Sequence, residues 1–306
     1  TVGNIIIRDS ANAYRPENVF MDCFTRSDST HAAITCGDFV LRLDGAGSID
    51  HILSRLEATN AEVEKQHNER YIDNMLIRSS LPDVSLYANV GKQNVFSRML
   101  KRFGYDFHNA FADLAISRKE GINGRLSIDS LVASGVQIDT IRMAFTSDSA
   151  KTNFEGQIRN NRSNPQFVFN AQMRGAVTKE SIYLGTRVYD DRDRLGIALG
   201  LKADMQPGGV KMSLGGIDPV LGYKKFKVNK DNYVFFAENQ RISADMRLRA
   251  DDGMGVQIYS NDSTETKQDL SVSLNQFDLQ KVLAVVPYAP QVAGLLNGDF
   301  HWTVSE

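Results

Sequence analysis

The chain has 306 residues, of which 42% are hydrophobic and 24% charged, and its formal net charge is −2. This composition supports a folded core, and no apolar run approaches the ~20 residues that a membrane-spanning helix needs. Lys and Arg are scattered among Asp and Glu, which argues against a dedicated nucleic-acid surface.

The chain begins with the strand-like run VGNIIIR. Further on, the run FVLRL from Phe39 predicts a strand, followed by a break at Gly45 and Gly47. Ile49, Ile52, Leu53 and Leu56 then share one stripe and predict a helix, for which Ser48 can serve as the cap. The charged stretch AEVEKQHNER that follows is compatible with a longer helix or with a crossing loop.

A second copy of this strand, helix and strand order runs from Asp83 to Ile116. The run VSLYANV predicts a strand, and a short amphipathic helix follows from Val95 to Phe103. Gly104 ends that helix before the next strand begins at Tyr105. We therefore predict an α+β repeat region over residues 1–104 and an all-β region over residues 105–306, since repeated units of this kind indicate an extended architecture.

The second region alternates apolar and polar residues in run after run, with turn signals such as NNRSNP, DDRDR and NKDN between the runs. A period of two places the apolar residues of each strand on one face, so we predict a continuous antiparallel array. The positions predicted to line the apolar face are Ile141, Met143, Phe145, Phe154, Ile158, Phe167, Phe169, Met173, Leu195, Ile197, Leu199, Leu201, Val210, Met212, Leu214, Ile242, Met246 and Leu248.

The last part of the chain, from Asp269 to Val304, predicts a strand, a short helix and a further strand. Asp278 can cap the helix, and Pro287 stops it, so we place it near residues 278–286. Its apolar stripe consists of Leu279, Val282, Leu283 and Val286. The three predicted helices are too short to be stable alone, and we expect each to pack on the sheet. The chain opens strand-like and closes inside a patterned strand, which leads us to expect a piece of a longer protein.

The cysteines give no clear indication of a disulfide or of a metal site. Cys23 and Cys36 are the only cysteines, and a hairpin turn at Ser27 to Thr30 would put their sulfurs out of register for a direct bridge. Whether they form a disulfide stays open at this point. Two cysteines without a matching His pair do not make a zinc site.

Catalytic signals are also weak. The five histidines are far apart in the sequence and none belongs to a recognised catalytic motif. Asp190, Asp191 and Asp193 suggest a calcium loop, but Arg192 and Arg194 are interleaved with them, which favours a salt-bridged turn. We therefore expect no enzyme activity, no metal and no cofactor.

The C-terminal stretch, with its run VPYAPQVAGLLNGD, resembles the TamB family of the AsmA-like superfamily. The resemblance extends back through GMGVQIYS and DNYVFFAENQRISADMRLR and covers roughly residues 106–306, as an internal or C-terminal segment. It is diffuse in kind, since its elements are patterned strands without a catalytic motif.

This resemblance implies a mainly β fold with a few short helices, in which an elongated antiparallel sheet curls into an open, taco-like hydrophobic trough. It implies a Gram-negative envelope protein that is anchored in the inner membrane outside this segment and crosses the periplasm. The implied partners are an outer-membrane β-barrel protein of the Omp85 type and phospholipid or another acyl-chain lipid, with no nucleic acid. The implied role is phospholipid transport, assembly of outer-membrane proteins and secretion, or both.

If the apolar face carries lipid, a charge placed on it should block the passage of acyl chains. Met212 and Met246 are suitable positions for such a charge, because Met suits an adaptable apolar surface. Two other hypotheses remain. In one, an open edge of the array templates strands of a nascent outer-membrane barrel. In the other, the chain is a closed-core β module for binding or adhesion, such as one that recognises glycans.

Overall fold

A computed structural model describes residues 17–261 and 267–305, together with two short paired strands, β1 (Ile7–Arg8) and β2 (Ala13–Tyr14). Of the strand predicted at VGNIIIR, only Ile7 and Arg8 belong to the described residues. The predicted fold class is confirmed, since 56% of the structure is strand and 15% is helix. The helices of the described residues are α1 (Ile49–Glu69), α2 (Asn74–Ser80), α3 (Val95–Arg102) and α4 (Leu279–Leu283).

The chain divides into two compact units, each described here by itself. The first unit comprises Thr1–Val63 and Met75–Gln166, and the second comprises Glu64–Asn74 and Phe167–Glu306. The region boundary predicted near Gly104 rests on where helical patterning ends, and the sheet of the first unit continues across that point. A strand before Gly104 pairs directly with one after it, because the intervening helix folds back beside the sheet.

The first unit is built on an antiparallel sheet in which most strands pair with the next along the chain. The hydrogen-bonded order is β3, β4, β5, β6, β8, β9, β10 and β11, with the short β7 also paired to β9. The strands are β3 (Phe20–Thr25), β4 (Ser29–Cys36), β5 (Phe39–Ala46), β6 (Val84–Val90), β7 (Tyr105–Asp106), β8 (Asn109–Ser117), β9 (Gly121–Ala133), β10 (Val136–Ser147) and β11 (Lys151–Asn160).

The second unit contains another antiparallel array, in the order β12, β13, β14, β15, β19, β20, β21, β22 and β23. Short strands β16 to β18 lie in the connection after β15, where β16 pairs with β14 and β18 pairs with β20. The strands are β12 (Phe169–Thr178), β13 (Ser181–Tyr189), β14 (Leu195–Gln206), β15 (Gly209–Leu214), β16 (Val220–Leu221), β17 (Lys224–Lys225), β18 (Lys227–Val228), β19 (Tyr233–Ala237), β20 (Ile242–Arg249), β21 (Gly255–Ser260), β22 (Lys267–Asp278) and β23 (Leu295–Ser305).

Helix α1 starts where predicted and extends well beyond the predicted stripe. The backbone N–H of His51 donates to Ser48 Oγ at 3.2 Å, which confirms Ser48 as a cap. The buried Ile52 packs where Gly45 carries no side chain, because a Cβ there would come within 2.5 Å of the Ile52 side chain. The charged stretch after Leu56 prolongs the helix to Glu69 and does not form a loop.

Helix α3 also packs on the sheet, as predicted. The Asn94 side chain accepts from the backbone N–H of Ser97 at 2.8 Å and so fixes where the helix begins. Val95 is buried with Val19 and Cys36 in a small core cluster against the start of β5. The helix ends at Arg102, one residue before the predicted end at Phe103.

Helix α4 is shorter than predicted, ending at Leu283, although its cap is the predicted Asp278. Val285, just beyond the helix, is almost fully buried against Gly196 of β14. A Cβ at Gly196 would lie 2.2 Å from a Val285 methyl carbon, so the missing side chain is what lets this segment seat on the strand. This helix therefore also packs on its sheet.

The two cysteines are both free thiols. Cys23 pairs in register with Ala32, because the turn spans Arg26 to Ser29 and not the predicted Ser27 to Thr30. Cys23 is exposed, whereas the buried Cys36 directs its thiol to the carbonyl oxygen of Glu17 at 3.6 Å.

Candidate functional site

An apolar face runs without interruption across the sheet of the first unit. Residues that lie directly opposite on antiparallel neighbours share a face, so the register identifies its members. Met143 of β10 lies opposite Leu126 of β9 and opposite Gly156 of β11. The remaining strands contribute the opposed apolar pairs Ala112 with Leu126, Leu86 with Leu114, Leu43 with Leu86, Ile34 with Leu41, and Met21 with Ile34. We call this set, with Ile141, Phe145, Phe154 and Ile158, the first apolar face.

The second unit carries an apolar face of its own. Leu201 of β14 lies opposite Leu184 on one side and Leu214 on the other. The face continues through the opposed pairs Ala203 with Met212, Met212 with Val234, Met246 with Ile258, Ile258 with Val272, and Val272 with Phe300. We call this set, with Met173, Ile197, Leu199, Val210, Ile242 and Leu248, the second apolar face. Leu195 follows the same alternation at the start of β14, whereas Phe167 lies just before β12 and outside any strand. The sequence alternation therefore places the predicted strand residues of each unit on a shared face.

Most of these side chains are only partly covered. Phe169, Met246 and Leu248 are buried, and the other fifteen of the eighteen predicted positions keep an intermediate exposure. In a closed sandwich the residues of two inner faces bury one another, and a fully buried Leu or Phe contributes about 1.5–3 kcal/mol. Apolar side chains held on one face without full cover leave surface on which a further apolar molecule gains contact.

Three of the predicted positions have a different environment from the open face that the sequence suggests. Met246 and Leu248 belong to a core cluster with Phe226, Ala250 and Met254, and Val282 of α4 packs against it. Phe169 is covered by aromatic contacts, with its ring centroid 6.0 Å from Phe167 and 6.4 Å from Tyr288. These positions are core residues, because the segments after β15 and after α4 fold over them.

The opposite side of the sheet carries polar residues in β10 and at the end of β14. In β10, Arg142 and Ala144 are exposed between the half-buried Ile141, Met143 and Phe145. Arg142 forms an exposed ion pair with Asp129 at 3.0 Å. In β14, the alternation that puts Leu201 on the apolar face predicts that Lys202 and Asp204 face water. Lys202 is exposed, whereas Asp204 is half-buried and accepts from the Ser181 hydroxyl at 2.6 Å. Gly196, Ala198 and Gly200 on that side are buried, a cover that the alternation does not reveal.

The predicted list leaves out residues that the structure adds to the two faces. Leu43, Leu86 and Leu114 extend the first apolar face, and Ile258 and Val272 extend the second. All of them lie in runs with the same alternation, so the signal was in the sequence. Reading every patterned run as part of the same array would have found them.

Two of the histidines lie in local pairs with acidic residues. His31 Nδ1 lies 2.6 Å from Asp44 Oδ1, and His301 Nε2 lies 2.6 Å from Asp269 Oδ1. Among the described residues, no three His, Cys, Asp or Glu side chains are arranged to hold a metal ion.

The carboxylate of Asp190, in the acidic turn, accepts its hydrogen bonds from groups of the chain itself. Asp190 accepts from the backbone N–H groups of Arg192 and Arg194, from the Arg194 guanidinium and from the Tyr223 hydroxyl, each at 2.9 Å. Burial alone would raise the pKa of Asp190, but these hydrogen bonds outweigh it and lower the pKa to about 2. The salt-bridged turn favoured by the sequence is what the structure contains.

We expect Asp190→Asn to reduce the free energy of unfolding at neutral pH by roughly 1–2 kcal/mol, allowing for screening of the exposed guanidinium. Since the folded pKa is below the unfolded value, the stabilisation is present above about pH 4 and is lost as the pH falls through about 2. Urea unfolding at several pH values checks this, with the exposed neighbour substitution Asp191→Asn as the control. A difference between wild type and Asp190→Asn that does not shrink in acid would contradict it.

No helix within the described residues combines the length and apolarity needed to cross a membrane. Comparisons with protein-family models, with curated proteins and with solved structures each found no match.

Proposed function

We propose that the two apolar faces bind the acyl chains of phospholipid, in a TamB-like envelope protein that supports outer-membrane biogenesis. The observation that carries the proposal is the combination of continuity and incomplete cover: apolar residues follow one another across every long strand of each unit, and most stay half-exposed. Such a surface supplies apolar contact along its length without selecting for one headgroup.

The energetic argument favours a continuous face over an isolated pocket. Moving a chain of ~15 methylenes through water costs on the order of 12 kcal/mol, at about 0.8 kcal/mol per CH₂. A protein that carries lipid between membranes must therefore keep apolar contact along the path. Each apolar face supplies this contact from neighbouring strands, and no covalent chemistry is required, which is why we propose a carrier and not an enzyme.

The TamB resemblance supplies the cellular setting of this proposal. It implies a periplasmic location, an anchor in the inner membrane outside this chain and an outer-membrane β-barrel partner. Assistance in outer-membrane protein assembly is the second activity that the resemblance implies, and it is compatible with a face that binds acyl chains.

The test is mass spectrometry of lipids extracted from the purified 306-residue chain after expression in a Gram-negative host. We expect phospholipid to co-purify in a fixed ratio to protein and to remain after washing with detergent-free buffer. A folded chain that carries no lipid, and takes up none from vesicles, would favour a closed-core binding module.

A further inference from the structure

The apolar stripe of helix α3 is covered at its beginning and exposed at its end. Val95 is buried and Phe96 is half-buried, with its ring centroid 4.6 Å from that of Phe39. One turn later on the same stripe, Met99 and Leu100 are 51% and 41% exposed, and Phe103 follows the helix at 72% exposure. Every residue from position 99 to 105 is exposed. The apolar stripe of α3 therefore extends beyond the part that the sheet covers, and its last turn is exposed to solvent.

Further exposed apolar residues lie on the strands that follow the helix. Tyr105 follows Phe103 by two residues and lies opposite Ala133 in β9. Val136, at the start of β10, lies opposite the same alanine, so it shares a face with Tyr105. Tyr105 and Val136 are both exposed. We name the set of Met99, Leu100, Phe103, Tyr105 and Val136 the α3 patch.

Basic side chains border the α3 patch. The segment from 91 to 106 contains Lys92, Arg98, Lys101 and Arg102 against one acidic residue, Asp106. Lys101 pairs with Asp106 at 3.1 Å and Arg98 pairs with Glu17 at 3.3 Å, and the side chain of Lys101 stays 69% exposed. Ion pairs this exposed are weak and exchange readily for other anions.

We propose that the α3 patch docks on the surface of an anionic phospholipid bilayer. Amphipathic helices with Phe and Leu on one side and Lys or Arg at the border lie in the headgroup region, with apolar residues inserted and cations next to phosphates. Large exposed apolar clusters are uncommon on soluble proteins and mark interaction sites. The basic border decides the class of partner, because it complements a negatively charged surface.

A second copy of the chain fits this surface less well. In a two-fold symmetric contact each patch faces itself, so Lys92, Lys101 and Arg102 of one copy would approach the same residues of the other. Like charges brought together in this way oppose association. An anionic bilayer offers the apolar insertion without that repulsion.

Docking would also place lipid next to the first apolar face. Val95 and Phe96, at the covered beginning of α3, pack with Ile34 and Phe39 at one end of that face. This consequence rests on the proposed function, whereas docking itself does not. The bilayer would meet the chain at the helix that covers the end of its acyl-chain surface.

The experiment is co-sedimentation of the 306-residue chain with vesicles of phosphatidylethanolamine, with and without phosphatidylglycerol. We expect binding that needs phosphatidylglycerol and weakens as salt rises. Lys92→Gln with Lys101→Gln should lower the partition coefficient about 25-fold, at roughly fivefold per charge. Leu100→Ser with Phe103→Ser should lower it roughly tenfold or more. All four side chains are exposed, so the fold should be retained.

Matched controls distinguish binding through the α3 patch from a general effect of positive charge or exposed apolar surface. Lys119→Gln with Lys151→Gln removes the same charge from exposed sites of the same unit, and Leu53→Ser with Leu56→Ser removes exposed apolar surface from α1. Both controls should bind as wild type does. Equal binding to both vesicle types, equal losses in patch and control variants, or self-association without vesicles that the patch variants abolish would each overturn the proposal. Lipid extracted from the chain tests the proposed function separately.

Discussion

Met143→Arg is expected to remove bound acyl chains from the first unit while leaving it folded. Met143 is half-buried and lies opposite Leu126 and opposite Gly156, which has no side chain. An Arg stem can follow the apolar face and carry its charge to solvent in the free protein, so folding is tolerated. A lipid chain laid over that charge would desolvate it, which costs several kcal/mol and lowers occupancy by orders of magnitude.

The matched control is Ala144→Arg, on the adjacent and exposed residue of the same strand. It adds the same charge between Arg125 and Glu155 on the polar side, where no lipid is expected. Lipid content by mass spectrometry and folding by circular dichroism are measured on both. Met212→Arg makes the equivalent test in the second unit, where that half-buried residue lies between Ala203 and Val234. Full lipid content in a folded Met143→Arg protein would count against the proposal for the first unit.

Met246→Glu is expected to unfold the second unit rather than to block lipid. Sequence reasoning groups Met246 with Met212 as an adaptable position, but Met246 is only 8% exposed and packs in the core cluster with Leu248 and Met254. A buried carboxylate without a partner costs roughly 3–5 kcal/mol, a large part of the stability of an ordinary domain. We expect the melting temperature to fall by roughly 10 °C, or the thermal transition to be lost.

Two comparisons test whether the buried charge is the cause of the destabilisation in Met246→Glu. Met246→Leu keeps the volume and should cost less than about 1.5 kcal/mol. The deficit of Met246→Glu should shrink as the pH falls, because burial raises the pKa of a carboxyl and protonation removes the charge. A variant that melts like wild type at neutral pH would mean that this cluster is open to solvent.

The strands and their faces follow from the sequence because strand periodicity is a local property. In β14, alternation from Leu195 to Leu201 identifies both the strand and the side that carries the apolar residues, and the register with β13 and β15 agrees. The caps at Ser48, Asn94 and Asp278 act over three residues, so they too are local signals.

The burial of these apolar side chains, by contrast, depends on segments that are distant in the sequence. Phe226 and Met254 complete the core around Met246, yet they lie in connections between strands, where no periodic pattern marks them. Arg78 of α2 is buried because its guanidinium donates to carbonyl oxygens of Arg118, Lys119 and Asp148, contacts between residues 40 or more positions apart. Alternation shows which side is apolar, and only the folded chain shows how much of that side stays uncovered.

The same limit explains the division into units. Helical patterning stops near Gly104, and this local change is what the sequence makes visible. The first unit extends to Gln166 because β6 pairs with β8 and the later strands add to the same sheet. Pairing between strands separated by a helix has no signature in either strand alone.

The most direct measurement of the central claim is photo-crosslinking to lipid at alternating positions of one strand. A photoreactive residue is placed in turn at the half-buried Ile141, Met143 and Phe145 and at the exposed Arg142 and Ala144 of β10, in a Gram-negative host. Acyl-chain binding predicts phospholipid adducts at the three apolar-face positions and none at the two outward ones. Adducts at the outward positions as well as the apolar-face positions would contradict lipid binding on the first apolar face. So would the absence of adducts at all five positions in well-folded protein.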